Sequence, residues 1–213
     1  MTPLGDDQLV ALARSVIEAD ARAVVAGLEA VGEEFVKVAR LLAANEGKVL
    51  VTGCGTSGNI AARAAHVLSV CGCPAFYVPP ADGLHGGLGV LQPSDLLLAL
   101  SKDGESGELN EFCRRAKSLC RAVIAVTAAP DSPLARIADH VVELKVDEGV
   151  DLGDVVATGS SLATAAVLDA FCEIARVSRG YDWRRLLFTH PFGAVGRNAQ
   201  QAIERLTRLE SDE

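Results

Sequence analysis

VLVTGCGTSGNI (Val49–Ile60) decides the fold. Val49, Leu50 and Val51 make a short apolar run, the glycines Gly53, Gly55 and Gly58 follow, and a helical pattern begins at Ser57. A buried strand that passes through a glycine-rich turn into a helix is the opening of an α/β unit. The three glycines match G-x-G-x-x-G, in which the backbone approaches a pyrophosphate at a helix N-terminus. A dinucleotide site normally adds an acidic residue at the end of the second strand, about twenty residues on, for the ribose hydroxyls. Here that strand ends in YVPPADG (residues 77–83), so Asp82 follows two prolines and is expected in a loop. The loop SKDGESGE (residues 101–108) is also rich in hydroxyls that a dinucleotide would leave unused. A single phosphate ester would use both loops together, and the residues favour that smaller ligand.

Upstream of this stretch, Asp6 to Asn45 is helical in pattern with a break near Gly32. Leu9, Leu12 and Val16, then Phe35, Val38, Leu41 and Leu42, recur at three- and four-residue spacing. Downstream, PAFYVP, LLLALS, AVIAVTA and HVVELKV read as four further strands. Helices are expected at Ser57–Val70, over GELNEFCRRAKSLC, at Ser160–Val177, at Trp183–Phe188 and at Asn198–Leu209. Continuous apolar strands between helices indicate a parallel sheet covered on both faces. In such sheets ligands sit beyond the C-terminal strand ends. The loops after the first and third strands both combine glycine with Ser or Thr just before a helix, a setting that binds anions. Ser57 and Ser101 are therefore expected to share one anionic group.

The chain has 213 residues and a formal net charge of −8. That length suits one domain with a substantial core. The acidic balance offers no basic stripe for nucleic acid. No apolar run approaches membrane-spanning length, and no signal segment is visible, so the reading is of a cytoplasmic protein. The six cysteines are scattered, and Cys71 and Cys73 have no second pair with which to complete a zinc site. They read as reduced core residues in a protein without a metal. His66, within a helix, and His140, leading into a strand, read as structural.

Five motifs occur in an order that resembles the sugar isomerase (SIS) fold: GCGTSG, LHGGLG, SKDGESGEL, ATGSS and THPFGAVG. The pattern is most similar to the arabinose-5-phosphate isomerase branch. Its motifs run close to G-x-G-K-S-G, L-H-G-D-L-G, S-x-S-G-x-x-x-E-L, P-T-S-S and H-P-G-G-A-L-G. The resemblance implies an α/β, three-layer SIS fold with a five-stranded parallel sheet flanked by helices and an N-terminal helical segment. The whole of 1–213 would be one such domain, with the helical segment at 1–45, the α/β core at 46–197 and a C-terminal helix and tail at 198–213. The tandem regulatory domain carried by many members of the branch is expected to be missing.

The same resemblance implies a homodimer or homotetramer with the site between subunits, and the apolar stripe of Leu9, Leu12 and Val16 with Phe35, Val38 and Leu41 is expected to put the N-terminal segment at a subunit contact. The resemblance also implies an aldose–ketose isomerase that acts on a phosphorylated or related acidic sugar through an enediol, with no cofactor and no metal. Carried over residue by residue, Gly55, Thr56, Ser57, Ser101, Asp103, Gly104, Ser106, Ser160 and Ser161 would bind the phosphosugar. His190, Glu108 and His85 would be catalytic, with His190 exchanging protons and Glu108 assisting. Glu108 also sits in a first helical turn, where the dipole favours a carboxylate in any case.

Three positions depart from the branch pattern. The first-loop lysine is Thr56, the second-loop serine is Asp103, and the glutamate after the fifth strand corresponds to Glu148 or Asp151. A carboxylate about 4 Å from a phosphate charge costs on the order of 4 kcal/mol at an effective dielectric near 20. A helix N-terminus returns only about 0.3–1 kcal/mol. Either Asp103 turns away, or Lys102 pairs with it, or the ligand is not a simple phosphate there. These departures leave a second class open, a non-catalytic module that binds a phosphosugar or sugar nucleotide.

Overall fold

Leu96, Leu98 and Leu100 of one strand pack into one apolar cluster, while Leu97 and Ala99 between them pack into another. This alternation of period two places a core on each face of the sheet. The structure is a computed structural model that describes residues 3–189, Gln201, Ile203 and Glu204. Its five strands are β1 (Val49–Gly53), β2 (Ala75–Tyr77), β3 (Leu96–Leu100), β4 (Ala122–Thr127) and β5 (His140–Glu143). All pair in parallel in the order β2-β1-β3-β4-β5. β1 therefore sits between β2 and β3, and the winding reverses at β1 and β3. The crevice at a reversal of this kind is where open α/β sheets hold ligands.

One face is covered by α2 (Glu33–Ala43), α3 (Gly55–Val70) and α7 (Gly159–Ser178). Phe35 of α2 stacks on Phe171 of α7 with ring centroids 4.2 Å apart. The other face is covered by α4 (Pro80–Leu84), α5 (Gly107–Ala116) and α6 (Pro133–Ile137), through Leu84, Leu109, Phe112 and Leu134. A last short helix, α8, spans Trp183–Thr189, with the Arg176 guanidinium 4.0 Å above the Trp183 ring.

The N-terminal helix α1 (Asp6–Ala26) lies on α7, and a 3₁₀ turn at Gly27–Ala30 joins it to α2. Its inward side is small: Ala19 and Ala23 are buried, and Ala23 clusters with Val150 and Ala163. Its larger residues face out, with Ile17 67% and Val25 64% exposed. The expected apolar stripe thus divides. Leu9 and Leu12 are exposed, whereas Phe35 and Val38 belong to the domain's own core.

Several local expectations shift. α3 starts two residues before Ser57, and α5 ends at Ala116 instead of Cys120. Asp82 lies in α4, which Pro80 opens, and not in a loop, because proline suits the first helical turn. His66 is exposed on α3 and has no core role, while His140 Nδ1 sits 2.7 Å from Glu34 Oε1. All six cysteines are free, and Cys71, Cys73, Cys113 and Cys172 are buried. Burial pushes the Cys113 thiol up to about 12, which makes it inert at neutral pH. Cys54 and Cys120 are only half-buried, and Cys54 sits at the strand ends. The helix expected at Asn198–Leu209 falls outside the described residues except at Gln201, Ile203 and Glu204.

Candidate functional site

Cys54 takes an extended conformation at the N-cap of α3, which puts Thr56 and Ser57 in the first turn. First-turn amides have no acceptor inside their own helix and are free for an anion. Gly58 serves packing. A Cβ there would lie 2.8 Å from both the Gly53 carbonyl oxygen and Tyr77 Oη, so α3 presses against the end of β1. The third glycine of the motif is thus accounted for by helix–strand contact.

The loop after β3 is tied down from both sides. Gly104 N donates to Ser101 Oγ at 3.1 Å, and Gly104 O accepts from Asn110 Nδ2 and Leu134 N. Gly104 is at φ +64°, and a Cβ there would meet Ser132 Oγ at 2.0 Å. Ser106 is the N-cap residue of α5, yet its hydroxyl does not cap. It donates to Cys54 Sγ at 3.3 Å and bridges the two loops.

A third wall comes from the β5–α7 connection. The buried Asp151 carboxylate accepts from Ser160 N at 2.9 Å, Ser160 Oγ at 2.8 Å and Lys102 Nζ at 2.8 Å. Burial alone would raise this carboxyl, but Lys102 and the Ser160 donors outweigh it and hold it below its ordinary value of 3.8. The hydrogen bond that Lys102 donates to Asp151 in turn holds the lysine above its usual range.

Between these walls lies an open cleft of about 420 Å³, whose lining includes Thr56, Ser57, Ser101, Lys102, Asp103 and Ser106. At its floor a pit of about 10 Å³, room for a single water, touches Ser57, Ser101, Lys102, Ser160, Ser161 and Thr164. Asp154 of the β5–α7 connection also lines the cleft, with its Oδ1 accepting from Gly149 N. Among the described residues that line the cleft, Lys102 carries the only positive charge.

The structure brings Thr56, Ser57, Ser101, Asp103 and Ser106 to one cleft, with Gly55 and Gly104 shaping its two turns at positive φ. Ser160 and Ser161 reach the pit, but their hydroxyls donate to Asp151 and to the Thr158 carbonyl. They do not cap α7, whose N-cap is Thr158; Asp151 receives the Ser160 amide instead. Lys102 pairs with Asp151 and not with Asp103, which stays exposed on the cleft wall. Glu148 is exposed, and only Asp151 of the two alternatives reaches the site. Glu108, in the first turn of α5, and His85, at the C-cap of α4, are exposed, and neither lines the cleft. His190 lies outside the described residues. The residues given less weight by sequence were Lys102 and Cys54, which are legible only as neighbours of the two glycine–serine loops. No group of three or more His, Cys, Asp or Glu side chains able to hold a metal occurs among the described residues. Nor is any helix among them long and apolar enough to cross a membrane.

Residues 42–174, which contain β1 through most of α7, match the SIS domain family. The chain belongs to that family. The SIS domain is 34% identical over 180 residues to arabinose 5-phosphate isomerase GutQ of Salmonella typhi, covering 84% of this chain and 56% of that protein. It is 33% identical over 177 residues to arabinose 5-phosphate isomerase KdsD of Pseudomonas aeruginosa, covering 83% and 54%. It thus spans a little over half the length of these curated relatives. Among solved structures, a candidate sugar-phosphate isomerase from Listeria monocytogenes superposes with a TM-score of 0.85 at 31% identity, over 89% of this chain and all of that one. The Escherichia coli CFT073 protein c3406, in complex with arabinose 5-phosphate, superposes with a TM-score of 0.84 at 26% identity, over 88% of this chain and all of that one.

Proposed function

We propose that this SIS domain is a phosphosugar isomerase that interconverts arabinose 5-phosphate and its ketose isomer. The observation that carries the reading is the cleft at the β1–β3 reversal, where two helix N-termini and the hydroxyls of Thr56, Ser57 and Ser101 converge. That is a phosphate seat in a fold shared closely with a protein bound to arabinose 5-phosphate. In the reaction a base removes the proton next to the carbonyl and returns it to the neighbouring carbon, while a second group moves the hydroxyl protons. His190, Glu108 and His85 are assigned to these roles. Glu108 and His85 stand apart from the cleft of their own chain, so the assignment includes a homo-oligomer, dimer or tetramer, that completes the site between subunits. The exposed aliphatic face of α1 supplies an apolar surface for such a contact. Six unpaired thiols fit a reducing cytoplasm.

A binding-only module is the second reading. Asp103 and Asp154 on the cleft wall and the distance of Glu108 from the cleft favour it. The experiment incubates the protein with arabinose 5-phosphate in deuterated water. Ketose formation with deuterium next to the carbonyl is expected, and Glu108→Gln or His190→Gln should lower turnover about a hundredfold or more with little change in affinity. Thermal stabilisation by the sugar phosphate without any exchange would replace the isomerase with the binding module.

A further inference from the structure

We infer that Lys102 is the side chain that neutralises the anionic group of the ligand, and that Asp151 is the counterion that positions it. The inference rests on the phosphate seat proposed above and names its charged partner. Thr56, Ser57, Ser101 and Ser106 offer dipoles and hydroxyls but no charge. Asp103 and Asp154 line the same cleft, so the wall without Lys102 would be purely acidic, and a phosphate dianion would be repelled from it.

Among the described residues, Lys102 is the one cation of that lining placed to meet an anion. It follows Ser101 directly, so its backbone belongs to the anion loop, and its side chain touches both the open cleft and the pit beneath it. The side chain is 33% exposed, whereas the Asp151 side chain is 2% exposed. The carboxylate is sealed from solvent, and the lysine side chain stays partly open at the cleft it lines. An ammonium carries three donors, and one goes to Asp151 Oδ2 at 2.8 Å. Asp151 is itself fixed by two bonds from Ser160 at the start of the 20-residue helix α7. A long, flexible lysine is therefore held at one point over the cleft, which reduces the ordering cost of binding. Asp151 contacts Lys102 and not the ligand, so it is a positioning residue.

The probes are inorganic phosphate, arabinose 5-phosphate and unphosphorylated arabinose, titrated calorimetrically at two salt concentrations. Lys102→Met should weaken phosphate and arabinose 5-phosphate by about ten- to a hundredfold and flatten the salt dependence. Arabinose should be indifferent to the change, and Lys102→Arg should recover most of the phosphate affinity. Because Lys102→Met leaves a buried carboxylate unpaired, Lys102→Met/Asp151→Asn is measured alongside it as a folded control. The double variant should show the same loss. Asp151→Asn alone should keep phosphate binding within about tenfold of wild type but broaden the range of bound lysine geometries, seen as a smaller binding enthalpy. Phosphate affinity unchanged in both Lys102→Met and the double variant overturns the inference, as does wild-type protein that binds no phosphate. Phosphate binding that depends on Lys102, in a protein that never isomerises arabinose 5-phosphate, would support Lys102 and sink only the isomerase reading.

Discussion

Gly104 holds the anion loop in a left-handed conformation with no room for a side chain. At φ +64° a side chain is strained, and the space a Cβ needs is already filled by Ser132 Oγ. Gly104→Ala should destabilise the domain by about 2–3 kcal/mol, read from urea unfolding, and weaken phosphate binding as Ser101 shifts. Gly104 was legible in the sequence because glycine and serine before a helix are a local signal. The same holds for Ser57 and Ser101. The Lys102–Asp151 pair was not legible, because its partners lie 49 residues apart and only the β3 and β5 ends bring them together. Asp103 illustrates the limit differently: its identity was plain, but its distance from Lys102 depended on which carboxylate was already buried beside that lysine.

At the level of elements, α1 inverts the usual arrangement of a surface helix. Ala19 and Ala23 face α7, while Val10, Ile17 and Val24 fall on one exposed line, and Leu28 in the turn that follows is exposed as well. Small residues let two helices approach closely, so burying Ala serves the α1–α7 contact and leaves the larger side chains for another surface. Ile17→Glu combined with Leu28→Glu should convert a dimer or tetramer to monomer in light scattering while leaving the far-ultraviolet circular dichroism unchanged. A wild-type monomer at micromolar concentration would reject that role for α1. The helical period over 6–45 was readable, but the side facing the domain was not: Phe35 and Leu9 carry the same apolar signal and end in opposite environments. The strands were readable for the converse reason. β1, β3 and β4 are buried on both faces, so their continuous apolar runs mark them as strands whichever face each residue takes. α4 and α6 were missed because five-residue helices opened by proline look like loops in sequence.

Across the whole molecule, three carboxylates tie strand ends and loops together, and all three titrate below their ordinary value of 3.8. Asp151 holds α7 to the β3 loop. Asp95, buried, accepts from the Lys48 and Gln92 amides and pairs with Lys48 Nζ at 2.9 Å, and Asp139 accepts from the Val123 amide and pairs with Lys117. Burial opposes ionisation at each, and the amide and lysine donors overcome it. A carboxyl depressed by folding adds stability that is complete above its unfolded pKa and is lost as pH falls through the folded one. Urea midpoints should therefore be flat from about pH 7 to 5 and drop below about pH 4, with a shallower drop in Asp95→Asn. One of the three has a second consequence. The Ser160 amide donates its hydrogen bond to the same carboxylate that accepts from Lys102, so its hydrogen exchanges with solvent when Asp151 lets go. The exchange rate of a single backbone hydrogen is thus a clock on the cleft, counting openings from inside the helix without a substrate or a label.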